Sequence, residues 1–383
     1  MLRLLLIIHI RNMNEDLQQL FAIRHFMQNY ENDTDTILTL PAILFNIDHC
    51  RMPGFYDVWL DRYLNYDFFS LFRMSKSTFE KLLHKLRCEE RNFSGGLFPP
   101  ISTEKQLLIT LWWLGKGEVL LSVADRFNVV VSTVHKATEF MLTRIINLQA
   151  DYIVWPNMEE SQTIQELFQD QGGYPGVVGA IDVCNVPFKA PLDQQESYID
   201  RKMKHSIKLQ AVVGPQKTFL YTNIGFPGSV HDSRVLRNSA LFVEIEQNGN
   251  LNDYFYDENS HIVGDSAYPL RNWLMTPYRD NGVLTDVQRR HNYIHSRTRM
   301  AVEMAFGILK SRWRILRYVN VNSIIKAIRI ITASCILHNF CYVNLDFWEN
   351  YDVDIEDLPE PNNNNNLNND AAIRKRDHIA NNL

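Results

Sequence analysis

Residues 177–183 read VVGAIDV, and residues 261–265 read HIVGD. Each is a short apolar run, rich in β-branched residues, that ends in an acid. Such runs, punctuated by Gly and Pro, are the pattern of buried strands. Around them lie IKLQAVVG (207–214) and TFLYTNIGF (218–226), again set off by Gly, Pro and Ser. The stretch from Tyr174 to about Arg279 therefore has the texture of a sheet. Asp182 and Asp265 are expected at or near strand ends.

On the C-terminal side the period changes. In SRTRMAVEMAFGILKSRWRILR (296–317), Val302, Ala305, Phe306, Leu309, Trp313 and Leu316 recur at helical spacing and form one apolar stripe. Glu303 lies beside that stripe, with Lys310 two turns on and nearly in line. Helical texture is expected from about Ser296 to Val343. A fourth acid, Asp232, follows FPGSVH and opens SRVLRNSALF, a position that also suits a helix N-cap.

On the N-terminal side, residues 75–150 are helical in pattern. TEKQLLITLWWLGKG (103–117) is followed by LLSVADRFN (120–128), in which Val123, Ala124 and Phe127 share a face. Asn128 begins a turn, and Ser132 is placed to cap STVHKATEFMLTRI (132–145). This is helix-turn-helix character, with Thr133, His135, Lys136 and Arg144 directed outward. The alternative is a three-helix bundle that only packs on the next domain. Residues 103–150 have a balance of about one positive charge, where a strong phosphate binder needs several. Residues 1–74 form a mixed helical and irregular region. Residues 344–383, with PNNNNNLNND (361–370), are expected to be disordered. The opening MLRLLLIIHI is too short to span a bilayer, and a soluble protein without a membrane partner is expected.

The chain has 383 residues, 45% hydrophobic and 22% charged, enough for a substantial core. Five scattered cysteines form no CxxC pair, which argues against zinc ribbons and disulfide frameworks. A net charge of -5 gives no global nucleic-acid signal, so any basic surface must be local. Between Asp286 and Arg329 there are ten bases against two acids, and Arg201, Lys202, Lys204 and Lys208 form a second group. His205 and His338 read as core or junction histidines, whereas His231 precedes an acid of interest.

Taken singly, each acid has an ordinary explanation. Together, carboxylates gathered in one place raise each other's pKa, and a divalent cation is the usual compensation. Oxygen ligands without convergent His or Cys favour Mg²⁺ or Mn²⁺. GAIDVCNVPFKAP, ESYIDRKMKHSIKLQAVVG, NIGFPGSVHDSRVLRNSALF, VGDSAYPLRNWLMTPY and NYIHSRTRMAVEMAFGILKSRWRIL, in that order, resemble the successive blocks of the PIF/Harbinger transposase family and its domesticated nuclease relatives. The resemblance covers about 100 to 343.

That resemblance implies an α/β architecture, an RNase H-like DDE catalytic domain (174–343) preceded by the helical region. It implies a metal-dependent DNA endonuclease with Asp182, Asp232, Asp265 and Glu303 as catalytic and metal-ligating candidates. Asp232 and Asp265 contest the second place of the triad, and RNase H-like order favours Asp265. One departure is Asn185, where relatives often have His. Lys136, Lys202, Arg299, Lys310, Arg312 and Arg314 are the expected nucleic-acid contacts. A Myb-like partner protein is implied, with a location in the nucleus and the cytoplasm second. The competing expectation is a domesticated DNA- or protein-binding module that keeps the fold without the chemistry.

Overall fold

Capping and periodicity fix the helices that precede the sheet. The computed structural model describes residues 54–87, 101–191, 195–348 and 370–383. After α1 (Asn65–Phe72), α2 (Lys76–Leu86) opens at Ser75, whose side chain accepts from Thr78 N. α3 (Thr103–Lys116) is capped by Ser102 and ends at Gly117 with φ 69°. α4 (Leu120–Arg126) turns at Asn128, itself left-handed at φ 50°, into α5 (Val131–Ile146). Ser132 does not cap α5: the helix begins one residue earlier, after an uncapped Val130. α6 (Met158–Gly172) carries a capping box between Asn157 and Glu160. The expectations for residues 1–53 lie outside the described residues.

The sheet follows as β1 (Val177–Pro187), β2 (Ser206–Val213), β3 (Phe219–Pro227), then α7 (Asp232–Arg237), β4 (His261–Gly264) and β5 (Leu274–Met275). Spatial order is β3-β2-β1-β4-β5, with β2 alone running against the other four. α8 (Asp286–Arg312) and α9 (Ile324–Val343) cover one face. α8 starts ten residues before the expected Ser296, because its polar first turns bury His291 and His295. All six residues of the predicted stripe are buried. α9 is long and apolar enough to cross a membrane by length and composition. It is instead the core helix, with Ile330, Ile331, Ile336 and Leu337 fully buried.

The helical region and the sheet share one core, in which Leu107, Trp112 and Met141 belong with Ala180, Leu209, Leu309 and Leu337. The described residues of 75–150 and 174–343 fall in one compact unit and are not separate bodies. Glu139 of α5 reinforces the join, accepting from Lys326 Nζ at 2.7 Å and Arg329 Nη1 at 2.5 Å. Of the tail expectation, residues 349–369 lie outside the described residues, and only its last part needs correction. Residues 370–382 form α10 (Asp370–Asn382), which buries Ala372, Ile379 and Ala380. Lys375 Nζ donates to Ser260 O and Asn272 O, and Arg376 stacks 4.0 Å from the Tyr278 ring.

Under α8, Tyr174 meets His261, His291 and His295 edge-on. Burial lowers His291 to about 4 and His295 to about 3. Their folded pKa values lie below the unfolded value near 6.5, so their stabilising contribution is present above that pH. It is lost as pH falls through about 4. Asp182 and Asp265, raised by burial, act in the opposite sense. The His295→Gln variant keeps a donor for Met275 O and isolates the histidine contribution. Between pH 6.5 and 4 its unfolding free energy is expected to fall less steeply than wild type, by up to about 1.4 kcal/mol per pH unit. Urea titrations at several pH values measure this, and equal slopes would refute it.

Candidate functional site: an acid-lined cleft at the strand ends

β4 stops at Gly264, which pairs with Ile181 of β1, while β1 runs on to Pro187. Beyond that point β1 has β2 on one side and, among the described residues, no strand on the other until Val319 N bonds Pro187 O, so a cleft opens at Asp182. The ends of parallel strands are the usual place for such crevices. Asp265 leaves β4 at the same level. A Cβ on Gly264 would lie 2.9 Å from both Ile181 and Tyr268 side-chain carbons, so only glycine lets the two strands close there. The loop before α7 approaches from the β2 side. Gly228 lies against β2, where a Cβ would meet Ser206 Oγ at 2.2 Å. His231 takes the N-cap position of α7 without a side-chain bond, so Asp232 is the first helical residue rather than the cap. Glu303 reaches the cleft from the middle of α8.

Asp182, Asp232, Asp265 and Glu303 thus line one cavity of about 350 Å³, together with Asn185, Arg201, Lys202, Lys208, His231 and Arg299. Asp182 Oδ1 accepts from Val183 N at 2.8 Å, and Asp265 Oδ1 accepts from Ala267 N at 3.0 Å. Lys208 Nζ donates to Asp232 Oδ1 at 2.8 Å. Arg299 Nη1 donates to Asp182 Oδ2 at 2.9 Å, and Nη2 donates to Glu303 Oε1. Burial raises the Asp182 carboxyl well above the ordinary range; Arg299 opposes this, and Asp265 and Asp232 add to it. Asp265 is raised for the same first reason, again against Arg299 and reinforced by Asp232. Asn185 Oδ1 is buried without a hydrogen-bond partner among the described residues.

An all-carboxylate donor set at this spot fits a hard divalent cation. Among the described residues no three acids converge on a single point, because Arg299 stands between Asp182 and Glu303 and Lys208 engages Asp232.

Residues 181–339 match the family model described as DDE superfamily endonuclease. The ALP1-like protein of Arabidopsis thaliana is 32% identical over 71% of this chain and 70% of its own. The nuclease candidate HARBI1 of Homo sapiens is 30% identical over 65% of this chain and 70% of its own. The chain belongs to the Harbinger transposase-derived DDE endonucleases. A third relative, the Arabidopsis protein named antagonist of like heterochromatin protein 1, is 30% identical over 72% of each chain. No solved structure matches the chain.

For this Harbinger-type chain the expected nucleic-acid contacts divide. Lys202 is exposed and lines the cleft, and Lys136 is exposed on α5. Arg314 is exposed in the turn Arg314–Arg317 that packs on Gly117, and Lys310 is half-buried, with neither at the cleft. Arg299 faces the acids, not solvent. Arg312 is fully buried and donates to Asp346 O at 2.6 Å, so it cannot meet a phosphate. Lys326 and Arg329 are engaged by Glu139. The ten bases counted along the sequence therefore do not form one patch around Glu303. Arg201, a member of the early basic group but not among the named contacts, lines the cleft beside Lys202. His205 and His338 sit as expected, one beside a bridge to Ile199 and one bonded to Lys217 O.

Proposed function

We propose that this chain is a metal-dependent DNA endonuclease of RNase H-like architecture, cleaving phosphodiester bonds in the acid-lined cleft. The observation that carries the reading is the convergence on one cavity of four acids from β1, α7, the end of β4 and α8, with Arg201 and Lys202 at its rim. The sheet order, with β2 alone reversed, supports the architecture.

Asp182, Asp265 and Glu303, with Asp232 beside them, would hold the cation. Bound in pairs, Mg²⁺ or Mn²⁺ supplies an activated water and counter-charge for the leaving 3′ oxygen. The chain's own groups do the rest. Arg201 and Lys202 attract the phosphate backbone to the cleft, and Lys208 holds the Asp232 side chain in place. Asn185 offers an amide at the cleft wall, where relatives often have the imidazole of a histidine. The exposed residues of α5, His135 and Lys136, are proposed to meet DNA outside the cleft. A Myb-like partner and a nuclear location, with the cytoplasm second, are proposed on family resemblance.

The test is nicking of supercoiled plasmid with Mg²⁺ or Mn²⁺ by wild type, Asp182→Ala and Glu303→Ala. Wild type alone is expected to nick. Equal activity in all three would end the catalytic reading. DNA binding without cleavage by wild type would favour a binding module that has kept only the fold.

A further inference from the structure

We propose that Arg299 is the resident counter-ion of the cleft, bridging Asp182 and Glu303 until a divalent cation displaces it. The inference rests on the metal-binding reading above and adds a competitor built into the chain. Three observations carry it. First, the guanidinium is divided between two acids: Nη1 bonds Asp182 on β1 and Nη2 bonds Glu303 on α8. An arginine serving to orient one ligand would place both nitrogens on one carboxylate. Second, the Arg299 side chain is only 14% exposed and lies inside the cavity, not at its rim. Third, among the described residues no three acids meet at a point while it is there.

The placement is written into α8. Arg299 precedes Glu303 by four residues, so both project from one helix face. The helix thus presents a cation and an acid together to the strand acid. With the guanidinium in place, Asp182 and Glu303 are compensated and the empty cleft is not a cluster of repelling charges. A divalent ion brings a larger charge to the same oxygens, and Arg299 must release at least one of them. Arg299 then remains in a cleft where the exposed bases Arg201 and Lys202 suit a phosphate backbone, while Lys208 stays with Asp232. Metal entry would in this way turn an acid-bound arginine toward the nucleic acid.

Removing a side chain that touches two metal ligands is expected to tighten metal binding. Calorimetric titration of the full chain with Mn²⁺ alone, at fixed pH and without DNA, should give Arg299→Gln a Kd lower than wild type by on the order of tenfold. Its melting temperature without metal should be lower, and its rise on adding Mn²⁺ larger. Arg299→Lys keeps the charge but cannot bridge both acids, and its Kd should fall between the two; it also serves if Arg299→Gln does not fold. Binding by Arg299→Gln but not by wild type would support the proposal in its strongest form. Equal or weaker Mn²⁺ binding by both variants would overturn it, making Arg299 a residue that orients the acids for metal. No binding by any of the three proteins would overturn the metal-binding reading itself, and this proposal with it.

Discussion

Asp265→Asn is expected to lower metal-dependent nicking by about 10³-fold, and Asp232→Asn by no more than about tenfold. The first figure corresponds to losing roughly 4 kcal/mol of transition-state stabilisation, the scale of a metal-bound group. The difference follows from position. Asp265 leaves the end of β4 opposite the Ile181–Asp182 step of β1, where the parallel pairing of the two strands stops. These backbones are hydrogen-bonded to each other, so the spacing of the two carboxylates is set by the sheet. Asp232 comes from a six-residue helix, and one of its oxygens is engaged by Lys208. Nicking rates for both variants at saturating Mn²⁺ decide the matter. A larger loss for Asp232→Asn would give Asp232 the second place in the triad.

Asp346→Ala is expected to destabilise the fold by about 3–5 kcal/mol, the cost of leaving a buried charge without its partner. Asp346 is itself buried and joins three parts of the chain. Its Oδ2 accepts from Ser75 N at 2.7 Å, at the start of α2. Its backbone oxygen accepts from Arg312 Nη2 at 2.6 Å, and its Oδ1 lies 3.4 Å from the same nitrogen. Arg312 is fully enclosed, and its Nε and Nη1 have no hydrogen-bond partner among the described residues. Without the carboxylate the guanidinium would keep one carbonyl and the Trp348 ring, 5.7 Å away. Asp346→Asn retains an acceptor for Ser75 and should lose less. Urea denaturation measures both, and a loss under about 1 kcal/mol for the alanine variant would show that the pair contributes little.

What could be read from the sequence was whatever backbone periodicity controls. The strands that carry Asp182 and precede Asp265 and the buried stripe of α8 are patterns of apolar residues, and apolar residues sort by burial; that β1 runs five residues past Asp182, to Pro187, was not legible in that pattern. The direction of a charged side chain is a different matter. Arg299, Arg312 and Arg314 differ little as letters, yet one faces acids, one is in the core and one is in water. Each outcome depends on what a distant segment places nearby: Asp182 for Arg299, Asp346 for Arg312. One clue was local, since Arg299 and Glu303 stand four apart on a helix, the spacing of an intrahelical pair. The helix at 370–382 was hidden for a related reason. The asparagine run drew attention from AAIRKRDHIANN (371–382), whose Ala372, Ile379 and Ala380 find a surface to cover only in the folded chain.

The join between α5 and α9 constrains how such a protein can change over time. Because Leu107, Trp112 and Met141 are packed in the same core as the sheet, a fragment starting at Tyr174 would expose the apolar side chains they cover. The helical region cannot be traded for another by recombination near residue 150 without opening that core and stranding Lys326 and Arg329. New behaviour on this side of the molecule must come one residue at a time, at exposed positions such as Ser132, His135 and Lys136, while everything behind them stays fixed.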